Sequence, residues 1–106
     1  MTDTSPSPLL VEICPDGSIL LKGELDMATA KQVEDAIAEV MKPGRPVVID
    51  MAQVSFIDSS GVRLLARTHQ QTGERVVIWN PSRWVWSVLE IIDATAKPEA
   101  WVVHAD

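Results

Sequence analysis

Two kinds of apolar spacing alternate along the chain, and each change of spacing marks a predicted element. Two short apolar runs, LLVEIC and SILLKG, flank the tripeptide PDG, in which Pro15 presets φ and Gly17 tolerates a positive φ. This pattern predicts a β-hairpin. The later segments PVVIDM, RVVIWN and AWVVH are short, β-branched and mostly apolar, as strands are. The composition of PVVIDM is typical of a central strand that is covered on both faces.

Between the predicted strands, apolar residues recur at the three- and four-residue spacing of amphipathic helices. Asp26 is placed to cap the first helix, and Pro43–Gly44 stops it. Gly73 lies where the second helix would take a C-terminal cap, and Asn80–Pro81 provide a cap and a first-turn residue for the third. The apolar faces comprise Val33, Ala36, Ile37, Val40 and Met41 in the first helix, Val62, Leu65, Ala66 and His69 in the second, and Val85, Val88, Leu89 and Ile92 in the third.

The resulting order is β-β-α-β-α-β-α-β, without an internal repeat. Alternation of this kind implies parallel pairing through right-handed crossovers, with helices protecting the sheet. A length of 106 residues with 46% apolar content is enough for one core. We therefore predict a flexible arm over residues 1–8 and a single α/β domain over residues 9–106. The domain should hold a mixed sheet of four to five strands, an N-terminal hairpin, and three to four helices packed against the sheet.

The charge and the apolar runs exclude several classes of protein. Fifteen acidic residues outnumber nine basic ones, and the net charge of −6 argues against direct nucleic-acid binding. No apolar run approaches the roughly 20 residues of a membrane-spanning helix, and the first ten residues lack the pattern of a secretion signal. Cys14 is the single cysteine, so it forms no internal disulfide and is expected to be a small buried hydrophobe. These features favour a cytoplasmic protein.

The segment FIDSSG joins a predicted strand to a predicted helix, and it carries more polar groups than a helix cap requires. Asp58 or Ser59 can accept hydrogen bonds from the first free N–H groups of the helix. The remaining hydroxyl should face solvent at a helix N-terminus, which favours an added anion. A phosphorylated serine would suit this position. The phosphate would add about −1.5 to −2 charges, and the helix dipole would stabilise it by only about 0.3–1 kcal/mol. We expect such a modification to switch binding rather than folding.

Together with GELD about thirty-five residues upstream, at the head of GELDMATAKQVEDAI, the DSSG segment resembles a STAS domain. Within that group it is similar to the bacterial anti-sigma factor antagonists. The element order extends the resemblance from about Leu9 to Val103. The resemblance implies a STAS-like fold for the single domain.

The resemblance also implies a mechanism. In that family the unmodified antagonist binds an anti-sigma factor that is also a serine kinase, and the sigma factor is released. The kinase uses ATP to phosphorylate the first serine after the Asp, the complex separates, and a serine phosphatase resets the switch. By this resemblance Ser59 is the phosphoacceptor, with Ser60 as the alternative, and Asp26, Asp58 and Gly61 belong to the partner-binding surface.

Two tryptophans in the third helix depart from the family, where smaller or aliphatic residues are expected. Helical spacing predicts Trp84 on the apolar side and Trp86 on the polar face. An exposed Trp86 would be a partner contact, since aromatic residues are enriched among binding hot spots. Covering of Trp86 by a C-terminal segment with Trp101 is the other interpretation. The predicted neighbours are Val88 and Ile91 on the apolar side, and Arg83, Ser87 and Glu90 on the polar face.

Arg63 completes the predicted partner-binding set. It shares one side of the second helix with Arg67 and Gln70, and a solvated face is the alternative interpretation of these three residues.

Catalysis by the chain itself is not expected. Ser59 and His69 are ten positions apart on one helix, about 15 Å at ~1.5 Å per residue, which no hydrogen bond spans. His104 belongs to another element and is not excluded in this way, yet the nucleophile elbow G-x-S-x-G is missing. Two distant histidines do not form a metal site, and the scattered glycines form no phosphate-binding loop. We predict no metal and no cofactor.

One alternative comes from within the same family. A STAS domain that never cycles through phosphorylation would act as an accessory subunit of an ABC lipid transporter, or as part of a stress-signalling scaffold. Copurification with an ABC ATPase or with a small ATP-binding kinase discriminates the two. The sequence leaves a homodimer open.

Overall fold

The computed structural model describes residues 9–93 and 101–104. The described elements are β1 (Leu9–Ile13), β2 (Ile19–Leu25), α1 (Ala30–Val40), β3 (Val47–Ile57), α2 (Ser59–Thr72), β4 (Val76–Trp79), α3 (Arg83–Asp93) and β5 (Trp101–His104). They follow the predicted order. The predicted arm over residues 1–8 lies outside the described residues.

Five strands form one mixed sheet in the order β1-β2-β3-β4-β5. The β1–β2 pair is antiparallel, whereas β2–β3, β3–β4 and β4–β5 are parallel. The predicted α/β class, the hairpin and the central position of β3 are therefore confirmed. The hairpin turns where PDG predicted it, with Gly17 at φ +89° and its N–H donating to Cys14 O at 2.9 Å. Hydrogen bonds from the hydroxyl and N–H of Ser18 lower the pKa of the Asp16 carboxyl in this turn.

β3 is not covered on both faces, contrary to the prediction from PVVIDM. Val47, Ile49 and Met51 are buried, while Val48 and Asp50 between them remain partly exposed. The strand therefore has one core face and one half-exposed face along its first half. The core consists of Leu9, Ile19, Leu21, Leu25, Val33, Ala36, Ile37, Val47, Ile49, Met51, Val54, Ile57, Val62, Leu64, Leu65, Val76, Ile78, Val85 and Leu89.

The second half of β3 is bulged. Six residue steps in β2, from Ile19 to Leu25, face eight steps in β3, from Ile49 to Ile57. The register shifts twice, and at the first shift the Asp50 carboxylate accepts the N–H of Ala52 at 3.0 Å. A bulge redirects the side chains that follow it.

The helix boundaries differ from the prediction at two N-termini. α1 begins at Ala30 rather than directly after Asp26, and Met41 lies beyond its end and is exposed. α3 begins at Arg83, because Ser82 rather than Asn80 accepts a backbone N–H, that of Val85 at 3.3 Å. α2 ends as predicted, with Gly73 in the left-handed region at φ 72°.

The structure also bears on two predictions made from composition, the lack of a membrane-spanning helix and the burial of Cys14. In the part of the chain that the structure describes, no helix is long and apolar enough to cross a membrane. Cys14 is half-buried at the hairpin turn rather than fully buried, because it follows the last residue of β1.

Candidate functional site

The GELD and DSSG segments meet at one end of the sheet. Leu25 and Ile57 are register partners at the carboxyl ends of the parallel strands β2 and β3. Each is followed directly by an aspartate, Asp26 or Asp58, and the N–H of Asp58 donates to Leu25 O at 3.2 Å. The parallel pairing thus places the two segments side by side, as the predicted surface requires. Residues 26–29 begin at the aspartate of GELD, and we call them the GELD turn. We call residues 58–61 the DSSG loop.

Asp58 is the N-cap of α2. Its Oδ1 accepts the N–H of Ser60 at 2.9 Å and that of Gly61 at 3.2 Å. The extended backbone of Asp58, with φ −115° and ψ −172°, is the conformation that an N-cap residue takes. The structure therefore selects Asp58, not Ser59, between the two caps that the sequence allowed.

Ser59 is the first residue of α2 and is exposed, whereas Ser60 is half-buried. Because Asp58 accepts the free N–H groups, the Ser59 hydroxyl is not required for capping. Of the two candidate phosphoacceptors, Ser59 is the more accessible to another protein.

Gly61 permits the close approach of α2 to the end of β2. It is buried, and a Cβ at this position would lie 2.8 Å from Ile57 Cγ1, 2.9 Å from Leu25 Cγ and 3.1 Å from Leu25 O. Any larger residue would push the start of α2 away from the strand ends. Gly61 thus contributes to the predicted partner-binding surface by positioning the DSSG loop.

Asp26 organises the GELD turn rather than the helix itself. Its Oδ1 accepts the N–H groups of Ala28 at 3.0 Å and Thr29 at 3.1 Å. The hydroxyl of the buried Thr29 donates to Glu24 O at 2.8 Å and accepts the N–H of Asp26 at 3.0 Å. This network holds the turn and its half-buried carboxylate beside the DSSG loop.

Arg63 lies exposed on α2, two residues beyond Gly61. Arg67, one turn further along, pairs with Glu34 of α1 at 2.9 Å. Of these two arginines, only Arg67 has a carboxylate partner within the described residues, so the predicted basic side is divided between a solvated residue and an interhelical pair.

The two tryptophans of α3 are exposed in the opposite order to the prediction. Trp84 is 52% exposed and Trp86 is half-buried, so the helical-spacing assignment of their faces was wrong. Trp84 stacks on Phe56, with ring centroids 6.3 Å apart and an interplanar angle of 13°. Whether Trp101 covers Trp86 lies outside the described side chains.

Phe56 is the residue that the sequence analysis missed. Strict alternation from the buried Val54 would bury Phe56 and expose Ile57, but the second register shift in β3 has the reverse effect. Phe56 is 38% exposed and Ile57 is buried. The run VSFI contained a signal for this exposure. Phe56 and Ile57 are adjacent, and in a regular strand only one of two adjacent side chains can face the core.

Of the two histidines considered for catalysis, the structure places His69, while the side chain of His104 lies outside the described residues. His69 lies near the C-terminal end of α2, where its Nδ1 is 2.9 Å from Glu74 O. It is therefore far from Ser59 at the other end of the same helix. Within the described residues no three His, Cys, Asp or Glu side chains cluster as metal ligands would.

Removing the cap should destabilise the domain measurably. Asp58→Ala is expected to lower the free energy of unfolding by about 1 kcal/mol, because two N–H groups lose their acceptor. Asp58→Asn keeps an acceptor and should cost less. Urea unfolding measures both changes, and the matched control is Ser59→Ala, which should alter stability by less than about 0.5 kcal/mol. Equal losses for Asp58→Ala and Ser59→Ala would contradict the assignment of the cap.

A family model described as "Mlab, STAS domain" matches residues 15–99 of the chain. Among curated proteins, the chain is similar to the anti-sigma-F factor antagonist RsfB of Mycobacterium tuberculosis, in strains H37Rv and CDC 1551. The identity is 31% over 77 residues, which cover 69% of this chain. The match spans only 63% of the length of these relatives.

Two solved structures share the fold. The unphosphorylated anti-sigma factor antagonist SpoIIAA aligns with a TM-score of 0.59 at 21% identity, covering 92% of this chain and 87% of SpoIIAA. A putative anti-sigma factor antagonist from Thermotoga maritima aligns with a TM-score of 0.61 at 15% identity, covering 91% of this chain and 85% of the other. These similarities extend over nearly the whole chain and concern the architecture.

Proposed function

The chain belongs to the STAS domain family, and from that premise we propose that it is an anti-sigma factor antagonist. Its unphosphorylated form binds an anti-sigma factor with serine kinase activity and so releases a sigma factor. Phosphorylation of Ser59 switches this binding off, and a serine phosphatase restores it.

The observation that carries the proposal is that Asp58 caps α2 while Ser59 remains exposed beside it. Asp58 accepts the N–H groups of Ser60 and Gly61, so the exposed Ser59 hydroxyl can be modified without uncapping α2. A hydroxyl at the first position of a helix also has free N–H groups and the positive dipole end beside it. Both features suit a serine that alternates between a neutral and a phosphorylated state.

The relatives support the class of partner. The curated proteins that the chain resembles are named as anti-sigma-F factor antagonists, although the match covers less than two thirds of their length. The partner-binding surface of this chain comprises the GELD turn and the DSSG loop, with Arg63 as a further contact.

In this cycle the chain supplies the substrate serine. The bound nucleotide and the transfer chemistry belong to the kinase, which is consistent with the predicted absence of a cofactor site. A binding module that exchanges partners in this way would work in the cytoplasm, where sigma factors act.

A second candidate function follows from the description of the matching family model, which names Mlab rather than an antagonist. The chain would then be a non-cycling accessory subunit of an ABC lipid transporter, or part of a stress-signalling scaffold. In either role the same surface would bind its partner without a phosphorylation cycle.

Titration calorimetry separates the two candidates. The purified chain is titrated with ATP-binding anti-sigma kinases and with transporter ATPases from the same genome, each in the presence of ADP. We expect binding to a kinase at micromolar or lower Kd and no heat with a transporter ATPase. Binding to the ATPase, with no response from any of the kinases, would replace the antagonist assignment by the transporter role.

A further inference from the structure

The stacked pair Phe56 and Trp84, which we call the aromatic pair, is exposed next to the DSSG loop. Its two rings are 38% and 52% exposed although they contact each other. Single exposed apolar residues are common on protein surfaces. Two large aromatic rings that remain exposed together present a patch that water solvates poorly, and Trp is enriched among interface hot spots.

The aromatic pair is held in place by the backbone beneath it. The Ser82 hydroxyl donates to Val54 O at 2.9 Å and accepts the N–H of Val85 at 3.3 Å, which ties the start of α3 to the bulged part of β3. Trp84 lies between Ser82 and Val85 in the sequence, and Phe56 lies two residues beyond Val54. The backbone that carries both rings is therefore anchored and the rings stack on each other, which reduces the entropy lost on binding.

The distance from the aromatic pair to Ser59 is short compared with the footprint of a protein partner. Phe56 precedes Ser59 by three residues, so their Cα atoms are at most about 11 Å apart. A standard interface covers about 800 Å² on each partner, which corresponds to a circle of roughly 16 Å radius. An interface of this size that is centred on Ser59 therefore extends as far as Phe56.

We propose that the aromatic pair is the apolar anchor of the interface with the anti-sigma kinase, and that it inserts into an apolar recess on that kinase beside the phosphorylation site. This inference rests on the proposed function and adds the residues that fix affinity and partner choice. The acidic groups of the GELD turn and DSSG loop then lie at the side of the interface where Ser59 is presented. The anchor replaces Trp86 as the main aromatic contact of α3.

The test measures the affinity of a kinase that phosphorylates the wild-type chain for four chains: wild type, Trp84→Ala, Phe56→Ala and the double variant. Calorimetry in the presence of ADP is expected to show a loss of about 10- to 30-fold for Trp84→Ala. The double variant should lose less than the product of the single losses, because the two rings act as one unit. Trp84→Phe should restore a large part of the affinity.

Phosphorylation kinetics provide a second readout that a folding defect would not imitate. An anchor away from the reacting hydroxyl contributes equally to the ground and transition states, so Trp84→Ala should raise KM about tenfold and leave kcat near the wild-type value. Circular dichroism and the thermal midpoint establish that each variant is folded.

Trp79 offers a matched control. It is 38% exposed like Phe56, but it pairs in register with Asp50, roughly 20 Å from the end of β3 at ~3.3 Å per residue. Trp79→Ala should therefore bind the kinase with unchanged affinity. An equal loss for Trp79→Ala and Trp84→Ala would overturn the proposed anchor.

Three further outcomes would overturn the inference. Wild-type affinity and KM for Trp84→Ala, in a chain whose Ser59 is phosphorylated normally, would remove the anchor and leave the proposed function intact. A homodimer in sedimentation velocity that Trp84→Ala dissociates, with kinase affinity unchanged, would assign the aromatic pair to a second copy of this chain. If no kinase binds the wild-type chain at all, the proposed function itself fails, and the anchor fails with it.

Discussion

The substitution Gly61→Ala is expected to lower the free energy of unfolding by about 1–3 kcal/mol relative to the wild-type protein. Helix propensity alone predicts the opposite, since alanine is favoured over glycine by about 1 kcal/mol in a helix interior. The added Cβ, however, would lie 2.8 Å from Ile57 Cγ1 and 2.9 Å from Leu25 Cγ. Neither atom is the free end of a flexible side chain, and Leu25 O at 3.1 Å is backbone. The steric cost should therefore exceed the gain in propensity.

Urea unfolding of a double-mutant cycle tests this explanation. Leu25→Ala removes one of the atoms that the new Cβ would meet, so Gly61→Ala should cost less in that background than in the wild type. Leu25→Ala itself should cost about 2–5 kcal/mol, because Leu25 is fully buried. A stabilising Gly61→Ala, or a cost that is the same in both backgrounds, would contradict the close approach of α2 to β2.

Phosphorylation of Ser59 is expected to weaken kinase binding by about 100-fold or more, with a change in unfolding free energy of no more than about 1 kcal/mol. The phosphate adds about −1.5 to −2 charges at neutral pH. The α2 dipole partly offsets that charge, while the adjacent Asp58 carboxylate opposes it, so the folded domain gains or loses little. A partner that covered Ser59 would have to bury the phosphate beside this carboxylate, and like charges in an interface cost several kcal/mol.

The measurement compares the enzymatically phosphorylated chain with the unmodified one, by calorimetry against the ADP-bound kinase and by urea unfolding. Phosphorylated Ser60→Ala provides the control, because it carries the same modification at Ser59 and should behave as the phosphorylated wild type does. Unchanged affinity after complete phosphorylation would contradict the switch. A loss of affinity that is accompanied by unfolding would assign the effect to stability instead.

The element order and the cap of α2 could be predicted from the sequence because local rules determine them. The PDG turn, the αL position of Gly73 and an N-cap at the DSSG segment all depend on residues within a few positions of each other. Asp58 was one of two candidate caps. The choice between them depends on the extended backbone at Asp58, which follows from the end of β3 and its pairing with β2.

The exposed aromatic surface could not be predicted in this way. The register shifts of β3 arise from its pairing with β2, a contact between segments about thirty residues apart, and they reverse which of Phe56 and Ile57 is buried. Trp84 and Trp86 flank the buried Val85 on opposite sides of α3, so which of them is covered depends on how α3 packs against β3. In both cases a tertiary contact overrode the periodicity on which the prediction rested.

The most direct test of the central claim is a phosphosite measurement. The chain is incubated with ATP and each candidate kinase from its own genome, and intact-mass and fragment mass spectrometry then count and locate the phosphate. We predict one phosphate, located on Ser59, absent from Ser59→Ala and accompanied by loss of kinase binding. A phosphate on Ser60 alone would contradict the assignment of the acceptor. No binding and no phosphate with any kinase, under conditions in which a known antagonist reacts, would contradict the antagonist function.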